Sequence, residues 1–130
     1  MLFRSAATDY KGNWVHWTLI KNARTGRMKI YKNGLNFVQS TGKRRIMSGI
    51  QKFKIGSNAN GLNSYDGYLD DFCIFNKEID QATIQNYMYK KIDSSHPYFS
   101  NLILNYQCNT NDLLTTPDSS SNQKIGRAHV

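Results

Sequence analysis

The sequence predicts an all-β fold of antiparallel strands with one short helix near the C-terminal end. Short stretches of alternating apolar and polar residues, rich in β-branched and aromatic side chains, recur between turn residues. One pair of these stretches is joined by Asn33-Gly34, a dipeptide that suits the positive φ angles of a two-residue hairpin turn. Apolar residues follow helical spacing in one segment, after Asp80.

The composition narrows the classes of function. The chain has 130 residues, of which 39% are hydrophobic, enough for one domain with a buried core. No apolar run approaches the roughly 18 residues of a membrane helix, so we expect no membrane insertion. The 17 lysines and arginines and 9 acidic residues give a net charge of +8, which favours acidic partners. No phosphate-binding glycine loop and no zinc-type Cys/His spacing occur.

The strand predictions rest on alternation and turn signals, and they cover residues 14–21, 27–32, 35–40, 52–56, 69–75 and 102–106. The two-residue turn sets the register of its hairpin, with Ile30 opposite Phe37 and Tyr31 opposite Asn36. We expect the Ile30–Phe37 pair to face the core and the other pair to face outward. Trp17 is also expected in the core, because its strand alternates.

The helix is predicted to begin after Asp80, whose carboxylate can accept the free N–H groups of the first turn. Ile79 before this cap and Ile84 after it are spaced as a hydrophobic staple. The apolar stripe of the helix consists of Ile84, Tyr87, Met88 and Ile92.

Both ends of the chain carry sequence that we expect to be non-native. Residues 1–5 can be encoded by GTG CTC TTC CGA TCT, with GTG read as a start codon, and residues 124–130 by AAG ATC GGA AGA GCA CAC GTC. The second string contains the reverse complement of the first, as read-through of a sequencing adapter would. We therefore expect a fragment truncated at both ends, in which Met1 is not the native start.

Residues 13–92 resemble the laminin G-like domains of the concanavalin A-like lectin/glucanase superfamily. The motifs that carry the resemblance are Trp14-Val15-His16, Ile30-Tyr31-Lys32-Asn33-Gly34, Ile55-Gly56, Gly67-Tyr68-Leu69-Asp70-Asp71-Phe72 and Asn76-Lys77-Glu78-Ile79-Asp80. The resemblance implies a concanavalin A-like jelly roll, an antiparallel β-sandwich of two sheets, of which residues 6–92 form the later part. It also implies a secreted or cell-surface location.

The segment after the helix has two interpretations. Residues 93–100 are expected to be a linker. Residues 101–123 are similar to the opening strand and first loop of the same family. They either open a second repeat or supply the closing strand of the same sandwich, because the first and last strands of a jelly roll are neighbours.

The superfamily includes glucanases, and glycoside hydrolysis needs two carboxylates facing one bond. Glu78 is the only glutamate, and the alternating acids of the family's hydrolases are missing. Asp70 and Asp71 are adjacent, so on a strand they point to opposite faces. We therefore expect no catalytic residue and no enzymatic activity.

Sugar binding through rim loops is the function that the resemblance makes most natural. Tyrosine rings and planar amides are suitable contacts, and the candidates are Asn58, Asn60, Asn63, Tyr65 and Tyr68. The alternative is a plain turn-rich loop, because Asn and Gly also serve turn geometry. Asn58 and Asp66 are weak calcium candidates, since calcium favours several carboxylates, and we expect no metal and no other cofactor.

Basic residues cluster in one stretch of the sequence: Lys43, Arg44, Arg45, Lys52 and Lys54. One interpretation is a solvated edge guarded by charge, and the other is a patch for sulfated or acidic polysaccharide. Nucleic acid is disfavoured because the aromatic–basic interleaving of nucleic-acid platforms is missing. His16 is expected to be structural. Cys73 and Cys108 are expected to be free thiols, with a disulfide between them left open.

These observations predict a non-catalytic carbohydrate-binding or adhesion module, a fragment of a larger extracellular multidomain protein. The expected partners are carbohydrate or glycoprotein, including acidic polysaccharide, and neighbouring domains of the same chain. The alternative is a structural spacer domain that accompanies an enzyme or adhesin, and a glucanase fragment is the least favoured.

Overall fold

The computed structural model describes residues 8, 11–50, 53–58, 60–109, 115–120 and 125–127. Over this part of the chain it contains antiparallel strands and one α-helix, which confirms the predicted fold class. The elements are β1 (Trp17–Asn22), β2 (Arg27–Lys32), β3 (Leu35–Ser40), β4 (Phe72–Phe75), α1 (Gln81–Tyr87), β5 (Leu102–Tyr106), β6 (Thr115–Pro117) and β7 (Ile125–Arg127). The described sheets have the orders β1-β2-β3, β4-β5 and β6-β7.

The chain divides into two units. The first unit comprises Met1–Arg44 and Lys77–Phe99, and the second comprises Arg45–Asn76 and Ser100–Val130. The three-stranded sheet and α1 belong to the first unit, and the two two-stranded sheets belong to the second. The segment Arg45–Asn76 is therefore inserted between the two stretches of chain that build the first unit.

The turn between β2 and β3 has the predicted geometry and carries the helix. Asn33 and Gly34 have φ angles of 49° and 73°, as a type I′ turn requires. The Asn33 amide oxygen accepts from the His16 backbone N–H at 2.9 Å, which ties the turn to the start of β1. The side-chain amides of Gln81 and Gln85 both donate to the Gly34 carbonyl, at 3.0 and 3.2 Å. The helix is thus seated directly on the hairpin turn.

The register of this hairpin differs from the prediction at one point. Tyr31 pairs with Asn36, as predicted, but Ile30 pairs with Val38. The predicted pairing of Ile30 with Phe37 was wrong because a β-bulge lies between Ile30 and Tyr31. The bulge leaves Phe37 as an extra residue on β3 and shifts the pairs beyond it by one position.

The core of the first unit lies on the face of the sheet that α1 covers. Ile20 and Tyr31 are 8% and 3% exposed, and they cluster with Ile84 of the helix. Ile79, just before the helix, packs against the same cluster. The prediction that Tyr31 faces outward was wrong because the apolar side of α1 covers the face that Tyr31 occupies.

The opposite face of the same sheet is more exposed. Leu19 is 75% exposed and Phe37 is 38% exposed. Trp17 is half-buried, and its ring meets the Phe37 ring edge-on with the centroids 5.6 Å apart. Trp17 therefore does not lie in the core as predicted, because strand alternation puts it on the face that α1 does not cover.

The helix begins where the sequence predicts and ends earlier. Asp80 has extended backbone angles, and its carboxylate accepts from the Thr83 backbone N–H at 2.9 Å. This confirms the predicted N-cap. The predicted apolar stripe runs to Ile92, but α1 ends at Tyr87. The Tyr87 hydroxyl donates to the Ser95 carbonyl at 3.0 Å, because the chain turns back along the helix at this point.

The segment that follows α1 is held to it. The rings of Tyr87 and His96 lie 4.4 Å apart, edge to face. The Tyr98 hydroxyl donates to the Asp80 carboxylate at 3.0 Å. The stretch expected to be a linker is therefore anchored at both ends of the helix.

The second unit is organised around β4 and β5, which pair antiparallel. Leu102 and Leu104 supply its apolar buried side chains among the described residues. Asn105 is 2% exposed and Asp118 is 7% exposed. The Asp118 carboxylate accepts from the backbone N–H groups of Asn105 and Ser120, at 2.8 and 2.9 Å. A buried carboxylate held by two backbone donors fixes the segment after β5 to the strand.

Two strand predictions in this unit need correction. The strand expected over residues 69–75 begins only at Phe72, because Asp71 has a φ angle of 49° that interrupts the extended backbone. The strand expected over residues 52–56 was wrong for its described part. Gly56 has a φ angle of 80° and turns the chain into the following loop.

The C-terminal strands β6 and β7 pair with each other. Strand β7 lies within residues 124–130, which we expect to be non-native. The domain limits remain predictions. Over the described residues no helix is both long enough and apolar enough to cross a membrane.

Candidate functional site

Residues 57–68 of the second unit form the loop in which the sequence predicts sugar contacts. Asn58 closes this loop: its side-chain oxygen accepts from the backbone N–H groups of Asn60 and Leu62, at 3.0 and 2.9 Å. The Asn58 N–H donates to the Leu62 carbonyl at 3.0 Å, and the Asn58 carbonyl accepts from Gly61 at 2.9 Å. The side chain thus replaces a missing backbone acceptor, as asparagine does in turns.

This arrangement decides what Asn58 can offer a ligand. Its side-chain oxygen already accepts two N–H groups, so a calcium ion at this oxygen would have to displace both. Asp66, the other calcium candidate, is exposed on the same loop. Among the described residues, no three His, Cys, Asp or Glu side chains are grouped as metal ligands. Asn58 therefore acts as the residue that shapes the loop.

Tyr65 is held over the backbone of the loop. Its N–H donates to the Gly56 carbonyl at 2.6 Å. A Cβ atom at Gly67 would lie 2.7 Å from Cζ and Oη of Tyr65, so the ring lies against this glycine. No larger residue fits there without moving the ring. Tyr65 remains 46% exposed.

The other candidates on this loop point outward. Tyr68 is 84% exposed, the highest exposed fraction among the large hydrophobic side chains that the structure describes. Asn60 and Asn63 are exposed as well, and Asn63 has a φ angle of 54°. Left-handed backbone is commoner for Asn than for most residues. The loop therefore presents one prominent tyrosine and two side-chain amides to solvent.

Lys54 brings a positive charge to the same loop. A Cβ atom at Gly61 would lie 3.2 Å from the Lys54 Nζ atom, so the ammonium group sits beside this glycine. Both residues belong to the second unit. Lys54 is thus a further candidate contact of this loop.

The basic residues that cluster in the sequence are divided between the two units. Lys43 and Arg44 belong to the first unit, Arg45 and Lys54 belong to the second, and Lys52 lies outside the described residues. Lys43 donates its backbone N–H to the Gly26 carbonyl at 2.8 Å. The Arg44 guanidinium donates to the Arg24 carbonyl. Lys43 and Arg44 therefore fasten their segment to the turn between β1 and β2, and the polyanion patch stays a prediction.

Both cysteines are free, and their environments disfavour the thiolate. Burial, assisted by the charge of Asp71, raises the pKa of Cys73 to about 11. Burial and the charge of Asp70 raise the pKa of the more exposed Cys108. At neutral pH each thiol keeps its proton and is a weak nucleophile.

The backbone of His16 is hydrogen-bonded to Asn33. Its carbonyl accepts from the Asn33 N–H at 2.8 Å. The side-chain Nδ1 atom is buried and has no hydrogen-bond partner among the residues that the structure describes. Burial lowers the pKa of His16, which favours the neutral ring.

Sequence reasoning missed a cleft in the first unit. It has a volume of about 410 Å³ and lies between β2 and the chain that leads into α1. Its lining consists of Arg27, Lys29, Tyr31, Glu78, Ile79, Asp80 and Gln81. The alternation of Arg27, Lys29 and Tyr31 along β2 was a visible signal that these side chains share one face. The acidic wall was not visible, because it comes from a segment distant in sequence.

Residues 2–85 match a laminin G-like family model, described as the concanavalin A-like lectin/glucanases superfamily. The match covers more than half of the chain. The chain belongs to this superfamily. No curated protein and no solved structure matches it. The antiparallel strands and single short helix of the described residues are consistent with a partial concanavalin A-like β-sandwich.

Membership of the concanavalin A-like superfamily indicates a lectin-like or adhesion module as the broad class of function. Laminin G-like domains are generally non-catalytic and typically extracellular.

Proposed function

We propose that this chain is a non-catalytic carbohydrate-binding or adhesion module of a larger extracellular protein, and that the loop of residues 57–68 contacts the sugar. The observation that carries this proposal is Tyr68, which is 84% exposed on a loop that hydrogen bonds close between Asn58 and Leu62 and between Gly56 and Tyr65. Order in this part of the loop lowers the conformational entropy that binding a ligand would cost.

The chemistry of the loop suits a saccharide. A tyrosine ring offers an apolar face for the C–H groups of a sugar ring and a hydroxyl for its polar edge. Tyr65 adds a second ring, oriented by its contact with Gly67. Asn60 and Asn63 offer amides that donate and accept hydrogen bonds, as sugar hydroxyls require.

The absence of enzymatic activity is part of the proposal. Asp70 and Asp71 are the adjacent acids next to the loop, and the Asp70 carboxylate accepts from the Asp71 backbone N–H at 3.0 Å. Glycoside hydrolysis needs two carboxylates about 5–9 Å apart across one bond. We therefore expect no turnover of any polysaccharide by this chain.

We also propose that β5 closes the same domain as β4 and does not open a second repeat. Antiparallel pairing of Phe72–Phe75 with Leu102–Tyr106 supports this. The Asn76 N–H donates to the Asn101 carbonyl at 2.9 Å, and the two side-chain amides also bond at 3.0 Å.

The test is a glycan array probed with the whole chain, followed by titration of the best ligand into variants. Tyr68→Ala should weaken binding about fivefold, because an aromatic contact contributes about 1 kcal/mol. Tyr89→Ala is the matched control, since Tyr89 is 78% exposed but belongs to the first unit. It should leave the dissociation constant unchanged.

Two results would contradict the proposal. Equal losses in the two tyrosine variants would mean that the loop has no special role. An array without any bound glycan would favour the alternative, a structural spacer that accompanies an enzyme or adhesin. Repeating the titration with a calcium chelator should change nothing, because Asn58 is committed to closing the loop.

A further inference from the structure

The cleft between β2 and the start of α1 has two chemically different walls. Arg27 and Lys29 of β2 form the basic wall, and Glu78 and Asp80 form the acidic wall. The cleft volume of about 410 Å³ lies within the range of small-molecule sites. All lining residues belong to the first unit, whereas the loop of residues 57–68 belongs to the second.

Among the described residues, no carboxylate forms an ion pair with the basic wall. Arg27 is exposed, and its guanidinium makes no hydrogen bond or ion pair with any described residue. The Lys29 ammonium lies 3.4 Å from the Tyr31 hydroxyl, which is a neutral partner. Arg27 and Lys29 alternate with Met28, so both project from the same face of β2. Two cations on one side of the cleft are therefore available to an anionic group.

The acidic wall is held in place by neutral donors. One Glu78 carboxylate oxygen accepts from the Asn22 side-chain amide at 2.8 Å. Asp80 accepts from the Thr83 N–H, the Thr83 hydroxyl and the Tyr98 hydroxyl. These bonds fix both carboxylates without cancelling their charge. The second Glu78 oxygen makes no hydrogen bond to a described residue and can accept from a ligand hydroxyl.

The two walls together define what fits. A simple anion such as phosphate would satisfy the cations but bring negative charge toward Glu78 and Asp80. A neutral sugar would offer hydroxyls to the carboxylates but leave the cations without an anion. A ligand that carries one carboxylate and several hydroxyls satisfies both walls. Carboxylate oxygens pair well with arginine, and sugar hydroxyls donate well to carboxylates.

We propose that this cleft binds a saccharide bearing a carboxylate, of the hexuronate type. The ligand carboxylate contacts Arg27 and Lys29, and the ring hydroxyls donate to Glu78. The Gln81 side chain borders the same space, with its amide N–H already bonded to the Gly34 carbonyl at 3.0 Å. The lining of this cleft includes no residue of the loop 57–68, so the two proposals are tested with different variants.

The test is calorimetric titration of the whole chain with trigalacturonate and with galactotriose of the same linkage, which carries CH₂OH where the acid carries its carboxylate. We expect trigalacturonate to bind at least about tenfold more tightly, as a lost charge-assisted contact implies. Arg27→Gln and Lys29→Gln should each weaken trigalacturonate binding about tenfold. Arg24→Gln is the matched control, because Arg24 is exposed and does not line the cleft. It should change the affinity less than twofold.

Every other outcome overturns the proposal. Equal affinity for the acidic and neutral trisaccharides would show that the ligand carboxylate makes no contact that contributes to binding. Equal losses in Arg24→Gln and Arg27→Gln would indicate general charge attraction without a site. If only Tyr68→Ala weakened trigalacturonate binding, the ligand would bind at the loop of residues 57–68 and not in the cleft. Equal competition by a short aspartate-rich peptide would replace the saccharide by an acidic peptide. Thermal unfolding of each variant verifies that it is folded.

Discussion

Replacing Gly34 by alanine tests how closely α1 is seated on the hairpin turn. Gly34 has a φ angle of 73°, which an alanine adopts only with strain. A Cβ atom at this position would also lie 2.7 Å from Cγ of Gln85 and 3.3 Å from the Met88 sulfur. The substitution therefore combines a backbone penalty with a collision against the helix.

The magnitude follows from these two effects. Left-handed backbone costs a non-glycine residue about 1–2 kcal/mol. Forcing extra volume into a packed contact costs about 1–3 kcal/mol. Alanine also reduces the conformational entropy of the unfolded chain, which stabilises the folded state by about 0.4–1 kcal/mol. We therefore expect Gly34→Ala to lower the free energy of unfolding by about 2–4 kcal/mol. Gly42 has the same φ of 73°, and no atom of a described residue lies within 4 Å of an added Cβ. Gly42→Ala should cost only about 1 kcal/mol.

The assay is urea denaturation followed by tryptophan fluorescence. Both tryptophans of the chain, Trp14 and Trp17, belong to the first unit, so their fluorescence reports its unfolding. Gln85→Ala removes the Cγ atom, so Gly34→Ala should cost about 1 kcal/mol less in that background than alone. Equal effects of Gly34→Ala and Gly42→Ala, or no relief in the Gln85→Ala background, would refute the seating of α1 on the turn.

Three further predictions concern the cap, a buried histidine and the thiols. Asp80→Ala should lower the free energy of unfolding, measured by urea denaturation, by about 1 kcal/mol because the N-cap is lost. Asp80→Asn should keep most of that stability, since asparagine also caps helices. Equal losses in the two variants would contradict the cap. Burial lowers the pKa of His16 and of His96 below 6.5 in the folded state, so as the pH falls below 6.5 the unfolded chain binds protons first. The free energy of unfolding should therefore decrease with falling pH until the folded histidines also become protonated. In thermal melts between pH 4 and 7, His16→Gln should make this decrease smaller. In the folded protein at pH 8, iodoacetamide should label exposed Cys108 faster than Cys73, whose pKa is about 11. In urea the two cysteines should react at equal rates. Equal rates in the folded protein, measured by mass spectrometry, would contradict the burial of Cys73.

Local signals in the sequence were sufficient for the turns and caps. Asn33-Gly34 forms the predicted hairpin turn, and Asp80 caps the predicted helix, because each depends on residues within four positions. The sequence also predicted correctly which residues of a strand share one face of the sheet. Which face is buried was not predictable from the strands, because the decision depends on Ile84, contributed by a helix about fifty residues further along.

The remaining errors have similar causes. The bulge that makes Phe37 an extra residue has no glycine or proline to mark it. The left-handed conformation of Asp71 shortens β4 without a clear sequence signal. In the candidate loop, residue types predicted an exposed, polar surface, but only the hydrogen bonds distinguish Asn58, which shapes the loop, from Asn60 and Asn63, which face solvent.

The seating of α1 on the hairpin has a consequence for the order in which the chain acquires its structure. The Gln81–Gly34 hydrogen bond joins residues 47 positions apart, and Arg45–Asn76 of the other unit lies between them. On a ribosome the hairpin emerges first, with Ile20 and Tyr31 uncovered until the helix has left the exit tunnel. During that interval the two apolar side chains stay exposed, and transiently exposed apolar surface favours aggregation until the helix covers it.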